Sequence, residues 1–389
     1  MKGMKYYLSS EKSRRILANG WAIALAIVLV TDLRAGGLDP WHWHNPLPRG
    51  TNLNSVAFGN GLFVAVGDQG RTAISSDGEN WMPGNTGFGA TLSGLTFGNG
   101  SFVAVGGNMV YSSTNGTNWI QHNPGANDGL VAITYGNGSF IAVGGGLLSR
   151  ANVAVSTNLT VWSIGSSRTP TALRAIAYGE AAWLYNGGVF RAVGDQGAGA
   201  YTQDGISSWT SGSFPTSLNL FGVAYGPEGF ISVGQSGYIT GDIQSATSGT
   251  TNDLQGVVFH NDMYIAVGLG GTILASTNGY NWSLLSSGTT NGLRAVTYGN
   301  GQIVAVGDNG TVGAAAVLET SLGLQRNSLK QLILFGPIGH SLQIESVDEF
   351  TQAVNWTSMV TVTLTNRPQV WTDTRVAGVN RYYRSILLP

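Results

Sequence analysis

One segment recurs seven times along the chain. Its clearest copy, LRAVTYGNGQIVAVGDNG from Leu293 to Gly310, has near-duplicates in LNSVAFGNGLFVAVGDQG (Leu53 to Gly70), LSGLTFGNGSFVAVGG (Leu92 to Gly107) and LVAITYGNGSFIAVGG (Leu130 to Gly145). Aligned on the glycine that ends each AVG or SVG, the copies fall at Gly67, Gly106, Gly144, Gly194, Gly234, Gly268 and Gly307, with spacings of 39, 38, 50, 40, 34 and 39 residues. Repeats of that size correspond to a four-stranded propeller blade. Within a copy the apolar residues form short runs, such as LRAVTY and QIVAVG, bounded by glycine and asparagine turns. Runs this short make strands, because a helix needs a longer periodic stretch to bury one face. The expected fold is all-β, with a seven-bladed β-propeller over residues 41–318.

Tryptophan marks the outer strand of a blade. Trp81, Trp119, Trp162, Trp209 and Trp282 each stand 11 residues before the leucine that opens the next copy, and in the shortened fifth copy Ile243 holds the same interval to Leu254. The seventh copy ends near Leu318 after three strands, while WHWHNPLP, Trp41 to Pro48, precedes the first copy. That segment is expected to close the ring as the outer strand of the last blade, with Trp41 or Trp43 in that blade, removing an exposed edge. In the first strand of each copy the third residue is small, the fourth aliphatic and the sixth aromatic (Ser55, Val56 and Phe58 in the first). This suits an innermost strand beside a narrow channel.

The chain ends differ from the repeats. Lys2, Lys5, Lys12, Arg14 and Arg15 precede ILANGWAIALAIVLV, 15 residues long, and then Ala35, the layout of a secretory signal over residues 1–35. An uncleaved anchor is the competing reading, although a spanning helix needs roughly 20 apolar residues. With no cysteine, neither lipid attachment after that run nor a disulfide framework is available. The chain is expected to be secreted, periplasmic or on the cell surface, with no membrane span after signal cleavage. After residue 318 a linker over 319–330 leads to strand-like runs, LILFGPIGHSLQIESV, NWTSMVTVTLTN, PQVWTDTRV and RYYRSILLP. These resemble the small β-sandwich modules that end many secreted bacterial proteins, which implies a module over 331–389 for anchoring, sorting or carbohydrate contact.

Several features could carry chemistry. Asp68, Asp195 and Asp308 follow the second strand, but other copies have Gly, Gln or Leu there, so they are read as turn residues that bond their own main chain. SSDGENW (Ser75 to Trp81), STNGTNW (Ser113 to Trp119) and STNGYNW (Ser276 to Trp282) resemble the Asp-box turn of sialidase-like propellers, one residue shorter than usual. In that family the box lies away from the active site, so the resemblance implies fold and not hydrolysis. The arginine cluster and Tyr–Glu pair of a sialidase are not identifiable. Asp77 and Glu79 lie in an outer hairpin, not as the pair of acids a glycosidase needs. His42 and His44 alternate on one strand as two zinc ligands would, but no third ligand is identifiable. No catalytic residue, metal or cofactor is assigned. Seven N-x-S/T sequons, including Asn99, Asn115 and Asn309, mostly coincide with turns.

The second residue of the inner strand varies where its neighbours repeat: Asn54, Ser93, Val131, Arg174, Phe221, Gln255 and Arg294. The candidate binding residues are Asn54, Arg174, Phe221, Gln255 and Arg294, at one mouth of the channel. Arg174, Gln255 and Arg294 would offer donors to an anionic or polar ligand, unless they are solvated or pair with neighbours such as Asp253. The repeat as a whole resembles the seven-bladed propellers of the photosystem II assembly-factor type, relatives of the sialidase-like superfamily, over residues 41–318. That implies non-catalytic protein binding. A net charge of -1 and the lack of lysine between residues 40 and 318 leave no basic field for nucleic acid. The expectation is an exported, monomeric binding or scaffold protein for a protein or carbohydrate partner. The alternatives are a polysaccharide-active glycoside hydrolase or lyase, or its binding subunit, and a structural surface component.

Overall fold

The structure, a computed structural model, describes residues 41–45, 50–145, 152–180, 188–206, 209–242, 244–260 and 263–316, with six strands between 321 and 387. The expected signal segment and Ile243 lie outside the described residues. Two units are separable, one holding Leu33–Leu318 and the other holding Glu319–Pro389 together with the N-terminal residues.

The first unit contains seven four-stranded antiparallel sheets. In blade one the strands are Leu53–Gly59, Leu62–Gly67, Arg71–Ser75 and Met82–Asn85, from the inside outward. The inner strands of consecutive blades lie side by side, and that of blade seven, Leu293–Gly299, lies beside that of blade one. The seventh sheet takes its fourth member from the start of the chain: His42–His44 pairs antiparallel with Val312–Ala316. No α-helix occurs among the described residues, and the only helical pieces are five single turns of 3-10 type such as Asp68–Gly70.

Each turn follows from its residues. Asn60, Asn99, Asn137 and Asn300 take φ between 45 and 48°, and the glycines after them 74 to 76°, the left-handed pair that a two-residue hairpin of type I′ requires. Asparagine and glycine adopt that region at little cost, which explains the recurrent GNG. The third and fourth strands are joined by a second recurrent turn. The Ser75 hydroxyl hydrogen-bonds Asp77, whose Oδ1 accepts the Glu79 and Asn80 amides, and Trp81 Nε1 donates to the Gly78 carbonyl at 2.8 Å. The same turn forms at Ser113–Trp119, Ser276–Trp282 and Ser156–Trp162, and Thr202–Trp209 has a version one residue longer, in which Trp209 Nε1 donates to the Gly205 carbonyl.

The core is seven separate clusters, one per blade interface. Leu53, Phe63, Val304 and Val312, for example, fill the gap between blades seven and one, and every leucine that opens an inner strand is fully buried. The blades lock by one repeated contact. Gly59, Gly98, Gly136, Gly179 and Gly299, at the ends of their inner strands, lie under the rings of Phe97, Tyr135, Tyr178, Tyr225 and Phe58 of the following blade, so closely that no side chain fits. Blade six has His260 there instead, stacked on Tyr298 with ring centroids 3.2 Å apart.

Blade five is trimmed. Its outer strand is only Ser245–Ala246, reached by a tight turn in which the Gly241 amide donates to the Gln244 carbonyl at 2.8 Å. Elsewhere the serine–tryptophan turn of one blade covers the second strand of the blade before it: Gly116 packs on Val64, Gly205 on Ile141, Gly279 on Ile231 and Gly78 on Val304. Blade five lacks that turn, and the residue it would cover in blade four is Arg191. Asp242, from the trimmed hairpin, meets the guanidinium at 2.9 Å, with exposures of 15% and 7%, and Tyr201, Phe214 and Phe230 surround it at 5.7 to 6.0 Å.

The second unit contains two three-stranded antiparallel sheets, Ser321–Gln325, Lys330–Phe335 and Gln369–Asp373 in one, and Thr357–Thr363, Ser341–Val347 and Tyr382–Leu387 in the other. The strand Ser321–Gln325 falls within the stretch expected as a linker, and the alternation of Leu322 and Leu324 is its signal.

Candidate functional site

The register slips at the start of the inner strands. Leu53 faces Gly67 and Ser55 faces Val66, which leaves Asn54 as an extra residue, and the same shift sets apart Val131, Arg174, Phe221, Gln255 and Arg294. A bulge of this kind re-aims one side chain without ending the strand. The glycine that closes the second strand permits it: a Cβ on Gly67 would strike the Asn52 carbonyl, and one on Gly194 or Gly307 would strike that of Ala172 or Gly292. The scaffold thus holds one displaced residue in each of six blades, and blade two, whose inner strand starts at Gly94, pairs without the shift.

These displaced residues converge. Asn54, Arg174, Phe221, Gln255 and Arg294, together with Ser93 and Val131, line one cavity of about 590 Å³ at the channel mouth. Below them the third residues (Gly94, Ala132, Ala175, Gly222, Gly256, Ala295) form its narrow wall. Arg174 and Arg294 are exposed, while Asn54, Phe221 and Gln255 are half-buried.

The arginines are not free cations. Arg174 grips Asp195 with Nε and Nη2 at 2.8 and 2.7 Å, and Arg294 Nε meets Asp308 at 2.6 Å. The hydrogen bonds that the Arg174 guanidinium donates to Asp195 hold its pKa above the ordinary value, against the opposing effect of burial. Arg294 also donates to Asn54 Oδ1 at 3.3 Å, and Asn54 Nδ2 donates to Asp68 at 3.0 Å and to the Leu92 carbonyl, so one network crosses from blade seven through blade one to blade two. Asp253, the neighbour expected for the arginines, instead accepts the Ser236 amide at 2.8 Å.

Asp68, Asp195 and Asp308 therefore do more than shape a turn. The left-handed angles belong to the residues after them, such as Gln69 and Gly70, and the carboxylates fix the displaced residue of their own blade. The sequence carries a signal for this: aspartate occurs in that turn only in the three copies whose displaced residue is Asn54, Arg174 or Arg294.

The arrangement presents anchored donors and acceptors beside Phe221 and Gln255. A carboxylate serving as general acid or base must be able to exchange its proton with substrate, and these three are engaged by arginine or asparagine donors. One Ser–His contact exists elsewhere, Ser112 Oγ to His122 Nε2 at 2.8 Å. Burial lowers the His122 pKa, which favours a neutral ring, and Ser112 is only 7% exposed. Among the described residues no group of three or more His, Asp or Glu is placed to hold a metal ion. His42 is exposed and His44 half-buried on the outermost strand.

No protein-family model matches the chain, and no curated protein sequence matches it. Solved structures do match. YCF48 from Cyanidioschyzon merolae is 17% identical with a TM-score of 0.56, covering 71% of this chain and 98% of its own. YCF48 bound to a D1 peptide is 15% identical with a TM-score of 0.57, covering 75% and 100%. The WD40 β-propeller domain of Doa1 is 13% identical with a TM-score of 0.53, covering 71% and 97%. At these identities the likeness is one of fold: an all-β, seven-bladed propeller.

Proposed function

We propose that this chain is an exported, non-catalytic propeller that binds a protein partner across its channel mouth, with Asn54, Arg174, Phe221, Gln255 and Arg294 as the contact set. The observation that carries the reading is the bulge. Six blades displace one residue toward a shared cavity, and those residues differ while the strands behind them repeat. Preformed, internally paired arginines beside a half-buried phenylalanine suit a polar peptide surface, because little side-chain freedom is left to lose on binding. That a YCF48 propeller is found with a bound D1 peptide supports a polypeptide ligand for this fold. The partner need not be related to that peptide.

The finer parts of the reading have their own support. Pairing of His42–His44 with Val312–Ala316 supports ring closure by an N-terminal strand. The repeated serine–tryptophan turn supports a place among sialidase-like, Asp-box propellers, and the two three-stranded sheets support a C-terminal β-sandwich module. The chain acts as a monomer in this reading, as a closed ring leaves no blade edge to pair. The alternative, a polysaccharide-active hydrolase or lyase, has one observation in its favour, the three aspartates at the mouth.

The test is to screen the purified chain from Gly36 onward against peptide and glycan arrays, with hydrolysis products assayed in the same samples. Peptide retention that is lost in Phe221→Ala and Arg294→Ala is the expected result. Retention of glycans alone would make the partner a carbohydrate, and turnover would replace binding by catalysis.

A further inference from the structure

Two of the settings in which Asn–Gly pairs occur in this chain differ in chemistry. In the hairpins between first and second strands, Asn99–Gly100 and Asn137–Gly138 are exposed, both residues have left-handed φ, and nothing lies within 4 Å of where a Cβ of either glycine would stand. Among the described residues no hydrogen bond fixes the side chain of Asn99 or Asn137. Their counterparts are tethered, as Asn60 Nδ2 reaches the Gly100 carbonyl at 3.4 Å and Asn300 Nδ2 the Ser76 carbonyl at 3.3 Å. In the serine–tryptophan turns the amide is locked. Asn278 Oδ1 accepts the Tyr280 and Asn281 amides at 3.0 and 2.9 Å, and the Gly279 amide is itself spent on Ser276 Oγ at 2.9 Å. Asn115 Oδ1 likewise accepts the Thr117 and Asn118 amides.

We propose that Asn99 and Asn137 are sites of spontaneous deamidation and that the turn asparagines Asn115 and Asn278 are protected from it by the fold. The following glycine nitrogen gives up its proton to water or hydroxide and attacks the asparagine Cγ. A carbon–nitrogen bond forms, the Cγ–Nδ2 bond breaks, and ammonia leaves a five-membered imide. Water then opens the ring at one carbonyl to give aspartate, or at the other to give isoaspartate. Glycine favours the closure because it has no side chain to obstruct it. At Asn278 the same attack would first have to break three hydrogen bonds to Oδ1, from the Ser276 hydroxyl and the Tyr280 and Asn281 amides, and one from the nucleophilic nitrogen.

The consequence falls on one side of the ring. Inner strands begin at the channel mouth and end at these hairpins, so the new carboxylates arise on the opposite face, and an isoaspartyl residue lengthens the backbone of a two-residue turn that has no slack. Asn99 and Asn137 also lie in Asn-Gly-Ser sequons, where a glycan on Nδ2 would block the reaction.

The experiment uses the chain made in a host without N-glycosylation, held folded at mildly alkaline pH and, in parallel, in concentrated urea, with peptide mapping by mass spectrometry over time. In the folded chain the conversion of Asn99 and Asn137 should exceed that of Asn115 and Asn278 by at least about tenfold, as expected where two or more hydrogen bonds must break first. In urea the four rates should converge. Equal rates in the folded chain, or an unchanged ranking in urea, would overturn the proposal.

Discussion

Arg191 shows how one residue can answer for a missing piece of chain. At the matching place in the other six blades stand Val64, Val103, Ile141, Ile231, Ile265 and Val304, all fully buried. A lone arginine in such a series, one blade before the copy that lacks tryptophan, is legible as a coupled change. Its partner Asp242 is not, because the tight hairpin that aims it has no counterpart among the repeats. Arg191→Leu should cost about 3 kcal/mol in urea unfolding, since it strands a buried carboxylate, and adding Asp242→Asn should recover part of that loss. Asp77 makes the opposite point. Burial would raise its pKa, yet hydrogen bonds from the Asn80 side chain, the Asn80 and Glu79 amides and Ser75 outweigh burial and hold it well below the usual carboxylate range. A depressed carboxylate adds stability above its unfolded value, about 3.9, and that stability is lost as the pH falls. Asn115 and Asn278 build the same turn without charge, so Asp77→Asn should keep the fold at neutral pH and flatten the acid limb of a pH–stability curve.

Among the elements, the inner strand carries both the lock between blades and the candidate site. Its apolar and aromatic positions are readable because each repeats with the strand period, and the glycine at its end is readable as a turn. What that glycine touches is not, since the contact joins residues about a blade apart. Gly98→Ala would put a methyl group into the Tyr135 ring, and a cost of about 1–3 kcal/mol is expected from thermal unfolding. Gly100→Ala is the contrast: nothing crowds it, and its cost should come from the left-handed angle alone. The candidate site was half legible. Variation at the second position picks out the five residues that share the cavity, whereas the bulge and the Arg–Asp pairs arise from backbone doubling that no single strand displays.

Across the propeller, the buried apolar residues among those described form seven interface clusters, one between each pair of neighbouring blades, so its stability is distributed around the ring. Trp43 serves the last of these. Its ring covers Gly313 of blade seven and its Nε1 donates to the Ser287 carbonyl of blade six at 2.6 Å, so this one side chain touches both blades. Deleting residues 41–48 should lower the midpoint of thermal unfolding for the propeller in a single transition, and Trp43→Ala should reproduce much of it, at about 3 kcal/mol. A melt that leaves six blades unchanged while one is lost would show that the blades are independent.

The glycine-under-aromatic contact also has a direction. At five of the seven junctions a blade presents a glycine to the ring of its successor, and after blade six His260 takes that place against Tyr298, the relation that head-to-tail subunits have in a cyclic oligomer. A fragment containing a few whole blades would therefore carry two unlike ends, each the complement of the other. Such a piece has no reason to stay single. It would close with other copies into a circle when their number matches the curvature, and grow into an open filament when it does not. Continuity of the chain is what sets the number at seven.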